Sequence, residues 1–201
     1  MDHTRLPLII LAAGASRRMR GRDKLLEDVD GMPLLRRQAL AALEVTADVQ
    51  VALPLAPHPR YEALTGLAVS VIPVADAAEG MNASLRRAFA TLPADAPCAM
   101  VLLADLPDLT ADDLCKVARA VDLDSDTLVW RGVTETGQPG HPIIFHKALF
   151  AAFAHLKGDG GGRDVIAQAK GHVTLVPLPE NRARNDLDTP EEWAAWRDHR
   201  T

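Results

Sequence analysis

Apolar positions along the chain fall into two alternating patterns. Leu6 to Ala12 and Cys98 to Ala104 are short apolar runs, the signature of strands buried on both faces of a parallel sheet. Val49 to Leu53, Val69 to Val74, Thr127 to Trp130, Ile143 to Phe145 and Val173 to Val176 predict further strands. Between these runs the period lengthens. Pro33 to Leu43 carries Leu35, Ala39, Leu40, Ala42 and Leu43, and Asn82 to Leu92 carries Leu85, Ala88, Phe89 and Leu92, each set on one helical face. Further helices are predicted from Thr110 to about Ala120, from about Lys147 to His155, from Arg163 to Ala169, and after Thr189. Thr110 precedes Asp113 with the spacing of a capping box. Thr189-Pro190-Glu191-Glu192 joins an N-cap, a proline at the first helical position and an acid at the third. Strand alternating with helix predicts a Rossmann-like, three-layer α/β fold around a mostly parallel sheet, with ligands at the carboxyl ends of the strands.

Length and charge narrow the function. A chain of 201 residues suits one domain, residues 1–201, with a substantial core. Its net charge of -5 gives no broad positive surface for nucleic acid or an anionic membrane. A phosphate-binding site must then use local cations, backbone N–H groups or a metal. Cys98 and Cys115 lack metal-ligand spacing and read as reduced thiols. The Leu6 to Ala13 run is too short for a secretory signal and turns into glycine and arginine. No run reaches transmembrane length. A cytoplasmic protein with neither nucleic acid nor membrane as a partner is expected.

The loop after the first predicted strand carries the first chemistry. Ala13, Gly14, Ala15 and Ser16 are small enough for their N–H groups to approach a phosphate closely. Arg18 supplies a fork and Lys24 a point charge for a polyphosphate. The loop has neither the Gly-Lys-Ser/Thr ending of a Walker A motif nor the glycine spacing of a dinucleotide fingerprint. A plain turn with solvated arginines fits the spacing equally well. Asp105 follows the second buried run, where a carboxylate faces the ligand crevice and suits magnesium; its plainer reading is turn chemistry before Pro107.

Leu11-Ala12-Ala13-Gly14-x-Ser16-x-Arg18-Met19, followed by Lys24, resembles the signature of the MobA-like nucleotidyltransferases, and most closely the molybdenum cofactor cytidylyltransferases. Relatives usually place glycine directly after the Arg-Met pair, whereas here Arg20 precedes Gly21. The resemblance implies that Arg18, Lys24 and Asp105 are catalytic. It further implies that Leu11, Ala12, Ala13, Gly14, Ser16, Arg18 and Lys24 bind a nucleoside triphosphate, CTP being favoured. Asn185-Asp186-Leu187-Asp188-Thr189-Pro190 is similar to the family's Asp-x-Asp-Thr-Pro segment, so Asp188, or alternatively Asp186, would complete a Mg2+ site with Asp105.

Three other segments carry the likeness. Gly80-Met81-Asn82-Ala83-Ser84-Leu85 resembles an element at the nucleotide, which makes Gly80, Asn82 and Ser84 binding residues; alone, Asn82 reads as a helix cap. Gly140-His141-Pro142-x-x-Phe145 looks like the cytidylyltransferase branch and puts His141 on the acceptor side, although a lone histidine is more often structural. Gly158-Asp159-Gly160-Gly161-Gly162-Arg163 looks like that branch's Gly-Asp-x-Gly-x-Arg and adds Asp159 and Arg163 for an anionic acceptor, against the plainer reading of a flexible turn with a surface salt bridge between Asp159 and Arg163. The implied reaction passes CMP from CTP to molybdopterin or molybdenum cofactor and releases pyrophosphate, with an apo-molybdoenzyme as recipient. A GTP-using relative, an enzyme for another phosphorylated metabolite and a non-catalytic pterin-binding chaperone are the alternatives.

Overall fold

A computed structural model describes residues 6–200. In chain order the elements are β1 (Leu8–Leu11), the two-residue strands β2 (Asp28–Val29) and β3 (Met32–Pro33), α1 (Leu34–Val45), β4 (Val49–Pro54) and α2 (Arg60–Ala63). They continue with β5 (Ser70–Val74), α3 (Met81–Ala90), β6 (Cys98–Leu103), α4 (Ala111–Arg119), β7 (Val129–Val133) and β8 (Pro139–His146). The chain closes with α5 (Phe150–Phe153), α6 (Arg163–Gln168), β9 (Val173–Pro177) and α7 (Pro190–Asp198).

Seven strands make one sheet in the order β5-β4-β1-β6-β8-β7-β9, and β2 with β3 forms a separate hairpin. Strands β5, β4, β1 and β6 are mutually parallel, whereas β8 runs against both β6 and β7. β9 is parallel to β7. This is the predicted mostly parallel α/β sheet, with one reversed strand. Alternation within β1 explains the layers. Leu8 and Ile10 join the core beneath α1, α4 and α7, while Ile9 and Leu11 join the core beneath α3, α5 and α6.

Both predicted capping boxes form. The Thr110 side chain accepts from the Asp113 N–H and the Thr189 side chain from the Glu192 N–H, with each acid returning a bond to its cap. The hairpin and the short α2 were not predicted, since neither is long enough to show a hydrophobic period.

On the second face Phe89 of α3 stacks on Phe153 of α5, with ring centres 3.5 Å apart and planes 4° apart. Phe145 of β8 meets Phe153 edge-on. Phe153 is fully buried and joins α3, α5 and the sheet. Phe153→Ala is therefore expected to cost about 3–5 kcal/mol in urea unfolding, the range for truncating a buried aromatic.

Candidate active site

The chain winds outward from β1 to β4 and β5, then crosses to place β6 on the other side of β1. The carboxyl ends of β1 and β6 thus flank a topological switch point. A cleft of about 1070 Å³ opens there. Leu11, Ala12, Ala13, Gly14, Ser16, Arg18 and Lys24 all line it. A Cβ on Gly14 would meet no protein atom within 4 Å, so the space over that backbone belongs to the cleft.

The first loop is built from two single 3-10 turns, Arg17–Met19 and Lys24–Leu26. Ser16 and Arg20 both adopt left-handed backbone, at φ 48° and 53°. The family's usual glycine after Arg-Met would enter that conformation freely, and here Arg20 adopts it instead. Asp23 starts the second turn by accepting the Leu25 N–H at 3.0 Å. Beneath the loop lies Arg60, which sequence reasoning missed. Its guanidinium grips Asp23 with Nε and Nη2, both at 2.7 Å. It also donates to the Ala12 carbonyl at 2.6 Å and to Ser16 Oγ at 3.1 Å.

Asp105 leaves the end of β6 on a segment pinned from two sides. Gln38 of α1 donates to the Leu106 carbonyl at 2.8 Å, and Arg37 donates to that of Pro107. Leu187 N–H reaches the Asp105 carbonyl at 3.3 Å, which ties the segment before α7 to the end of β6. Asp108 strengthens the tie by accepting from Asn185 and from the Trp196 indole. Asp105, Asp186 and Asp188 consequently offer carboxylate oxygens that all lie within 4.8 Å of one another.

Lys24 sits among these acids, its Nζ 2.5 Å from Asp105 and 2.6 Å from Asp188. Burial alone would lower its pKa, but the charge of Asp105 and the bonds to both carboxylates raise it, so the ammonium stays protonated. Arg18 pairs with the other oxygen of Asp188 at 2.5 Å. Asp186 makes no ion pair among the described residues; burial and the charges of Asp105 and Asp188 push its pKa up, with Lys24 opposing them. Asp105 Oδ1 is buried without a hydrogen-bond partner. An orphaned carboxylate oxygen amid hard-oxygen donors fits a magnesium- or manganese-type ion. The two aspartates weighed as alternatives from sequence therefore both reach the cluster.

Gly80, Ser84 and Asp159 also line the cleft. Asn82 corrects the sequence reading. It lies inside α3 and is fully buried, while Gly80 is the residue at the N-cap position. Its amide donates to the Lys157 carbonyl at 2.7 Å and accepts from the Gly162 N–H at 3.2 Å, so it fastens the glycine-rich loop, and it does not line the cleft. The cap on α3 comes from Asp159, whose Oδ1 accepts the Met81 N–H at 2.7 Å. A side chain on Gly80 would collide with Asp159, which accounts for glycine there. The surface salt bridge between Asp159 and Arg163 does not form among the described residues; Arg163 is exposed at the start of α6 and does not line the cleft.

Antiparallel pairing of Val101 with Ile143 carries His141 to the level of Leu103, near Asp105 but outside the cleft lining. Its Nδ1 lies 3.5 Å from the Val101 carbonyl. Burial pushes its pKa down to about 4; the Val101 carbonyl and Asp105 oppose this, and Arg131 adds to it. The imidazole is thus neutral at pH 7. Arg131, also unforeseen, is half-buried and donates to the Gly140 carbonyl at 2.9 Å. Burial and the charges of Arg184 and Arg163 lower its pKa.

Comparison with known proteins bears on this arrangement. A protein of Synechococcus elongatus, named a probable molybdenum cofactor guanylyltransferase, is 30% identical over 192 residues, 93% of this chain and 95% of its own. The crystal structure of an Rv0371c homologue from Mycobacterium sp. strain JC1 superposes with a TM-score of 0.83 at 23% identity, covering 98% of this chain and 96% of that one. Rv0371c of Mycobacterium tuberculosis in complex with manganese superposes at 0.73 with 21% identity, covering 94% and 96%. The domain described as the MobA-like NTP transferase domain matches residues 8–173, the span from β1 to the start of β9. The chain belongs to the MobA-like NTP transferase family.

Proposed function

We propose that this nucleotidyltransferase passes CMP from CTP to the terminal phosphate of molybdopterin or molybdenum cofactor. The observation that carries the reading is the convergence of Lys24, Asp105, Asp186 and Asp188 beside an open loop backbone at the switch point. The triphosphate lies along residues 13–16, where Gly14 leaves room for close approach. Asp105, Asp186 and Asp188 would hold a magnesium ion, which would supply charge neutralisation for the phosphates. The manganese complex of Rv0371c supports a divalent ion at this kind of fold. Lys24 and Arg18, paired with the cluster, stabilise the charge that builds on leaving pyrophosphate.

The chemistry asks little else of the protein. An acceptor phosphate oxygen attacks the α-phosphorus, forming one P–O bond as the bond to the β-phosphate breaks. That oxygen is already ionised, so no general base is required, and catalysis is positioning plus electrostatics. The arginines beyond Asp105 support an anionic acceptor. Arg184 and Arg163 lie close enough to Arg131 to lower its pKa, and none of the three has a carboxylate partner among the described residues. Neutral His141, within reach of the charges of Arg131 and Asp105, serves as a hydrogen-bonding group rather than a cation.

The Gly140-His141-Pro142 element and Ala13 support CTP as donor. GTP is the second reading, and the name of the Synechococcus relative favours it. Pyrophosphate release with magnesium, molybdenum cofactor and either CTP or GTP tests both. Asp105→Asn should lower that rate at least about a hundredfold, with little change in melting temperature because the weakened pair with Lys24 is offset by relief of repulsion on Asp186. Unchanged turnover in that variant would sink the metal role.

The depressed pKa of His141 gives a further expectation. The folded protein holds the imidazole neutral below its ordinary pKa of 6.5, so the unfolded chain binds more protons between pH 6.5 and about 4. The stability that His141 contributes is full above pH 6.5 and lost as pH falls through that window. Urea unfolding from pH 7 to 4 should show a shallower pH dependence for His141→Gln than for wild type, by about one proton.

A further inference from the structure

We propose that Arg60 is a positioning residue for nucleotide transfer, which sets the path of the first loop and through it the placement of Lys24. This rests on the nucleotidyltransferase reading of the cleft. Arg60 is 1% exposed, and its guanidinium is given over to protein acceptors. Those acceptors are not neighbours in sequence. They are the Ala12 carbonyl where the chain leaves β1, Ser16 Oγ in mid-loop, and both oxygens of Asp23 at the entrance to the second turn. One rigid, planar fork thus fixes three points along the loop, a task that a flexible ammonium cannot reproduce.

The loop needs such a frame. It contains no strand and only two single turns, and it holds Ser16 and Arg20 in left-handed backbone that costs about 1–2 kcal/mol per residue. From Arg60 the constraint passes directly to the reacting region. Ser16 Oγ accepts the Lys24 N–H at 3.3 Å, and Lys24 Nζ reaches Asp105 and Asp188. Arg60 also governs charge. Burial would raise the pKa of Asp23, but the hydrogen bonds and charge of Arg60, with help from Leu25 N–H and Ser16, hold it below the usual range. Removing Arg60 leaves a bare carboxylate in the wall that is to receive a triphosphate.

Arg60→Lys, Arg60→Met and Arg60→Met combined with Asp23→Asn separate shape from charge. Each is to be measured by calorimetric binding of CTP and GTP with magnesium, by transfer kinetics and by melting temperature. The proposal expects Arg60→Lys to weaken nucleotide binding at least about tenfold, seen equally as a raised KM for the nucleotide, with the acceptor KM within about twofold of wild type. A purely structural role would reduce the folded fraction and so lower kcat while leaving both KM values alone; that pattern overturns the proposal. The double variant carries no buried unpaired charge but still lacks the fork, so it should remain weak. Wild-type affinity in the double variant would mean that Arg60 only neutralises Asp23, and would also overturn it. If Arg60→Lys fails to fold, Asp23→Asn alone keeps the bonds to Ala12 and Ser16, loses the charged fork, and should raise the nucleotide KM about threefold or more; an unchanged KM counts against the proposal. A wild type that binds neither CTP nor GTP removes the transferase reading and this proposal with it. Wild-type binding with full affinity in Arg60→Lys removes this proposal alone.

Discussion

The ammonium of Lys24, lodged between Asp105 and Asp188, is the interaction on which the site depends. Three carboxylates within 4.8 Å repel one another, and that repulsion adds to desolvation in raising the pKa of Asp186. Local positive charge offsets that repulsion. Lys24 and Arg18 supply it from the loop after β1, so the loop and the acid cluster define each other's positions. Each ion pair in isolation is of modest worth, because the charges are partly solvated. Their value lies in the convergence of three segments far apart in sequence.

The scaffold makes that convergence rigid. α1 grips the 105–107 segment through Gln38 and Arg37, and α7 carries Trp196 and the Thr189 capping box that fix the 185–188 segment against it. Glu27, just past the first loop, is shared by Arg22 and by Arg197 of α7, which brings the last helix back to the first loop. Arg60 completes the frame from β4's side of the cleft. The surface of the cleft around the acid cluster is therefore loop, tied to helices and strand ends. That is the arrangement expected where chemistry rests on positioning and charge.

Local signals in the sequence were reliable where local physics decides. β1 and β6 are visible as unbroken apolar runs because both faces of a central parallel strand are buried, and the two capping boxes form because their atoms are only three residues apart. Asp105 and Lys24 were legible from position and from family resemblance. Taken alone, Asn82 reads as a cap because an asparagine near a helix start resembles one. The cap is instead Asp159, 78 residues beyond the Met81 N–H that it accepts. The reversal of β8 leaves no mark on hydrophobic period, since β8 is buried either way. Arg60 had no signal at all: a single arginine among prolines reads as solvated, and only the tertiary meeting of the β4–α2 segment with the first loop makes it a buried fork. Asp186 and Asp188 could not be separated from sequence for a physical reason, because residues two apart in non-helical chain share a side, and both reach the cluster.

The central claim is that Lys24 occupies the charge environment that a divalent cation would share. The direct measurement is Mn2+ affinity of the nucleotide-free protein, wild type against Lys24→Met, followed by the loss of the free-ion EPR signal, with folding of both checked by melting. With the ammonium gone, the three carboxylates should bind Mn2+ at least about tenfold more tightly, as expected when a like charge is removed from a partly buried site. Equal or weaker Mn2+ binding in Lys24→Met would place the lysine outside the acid cluster and contradict the account.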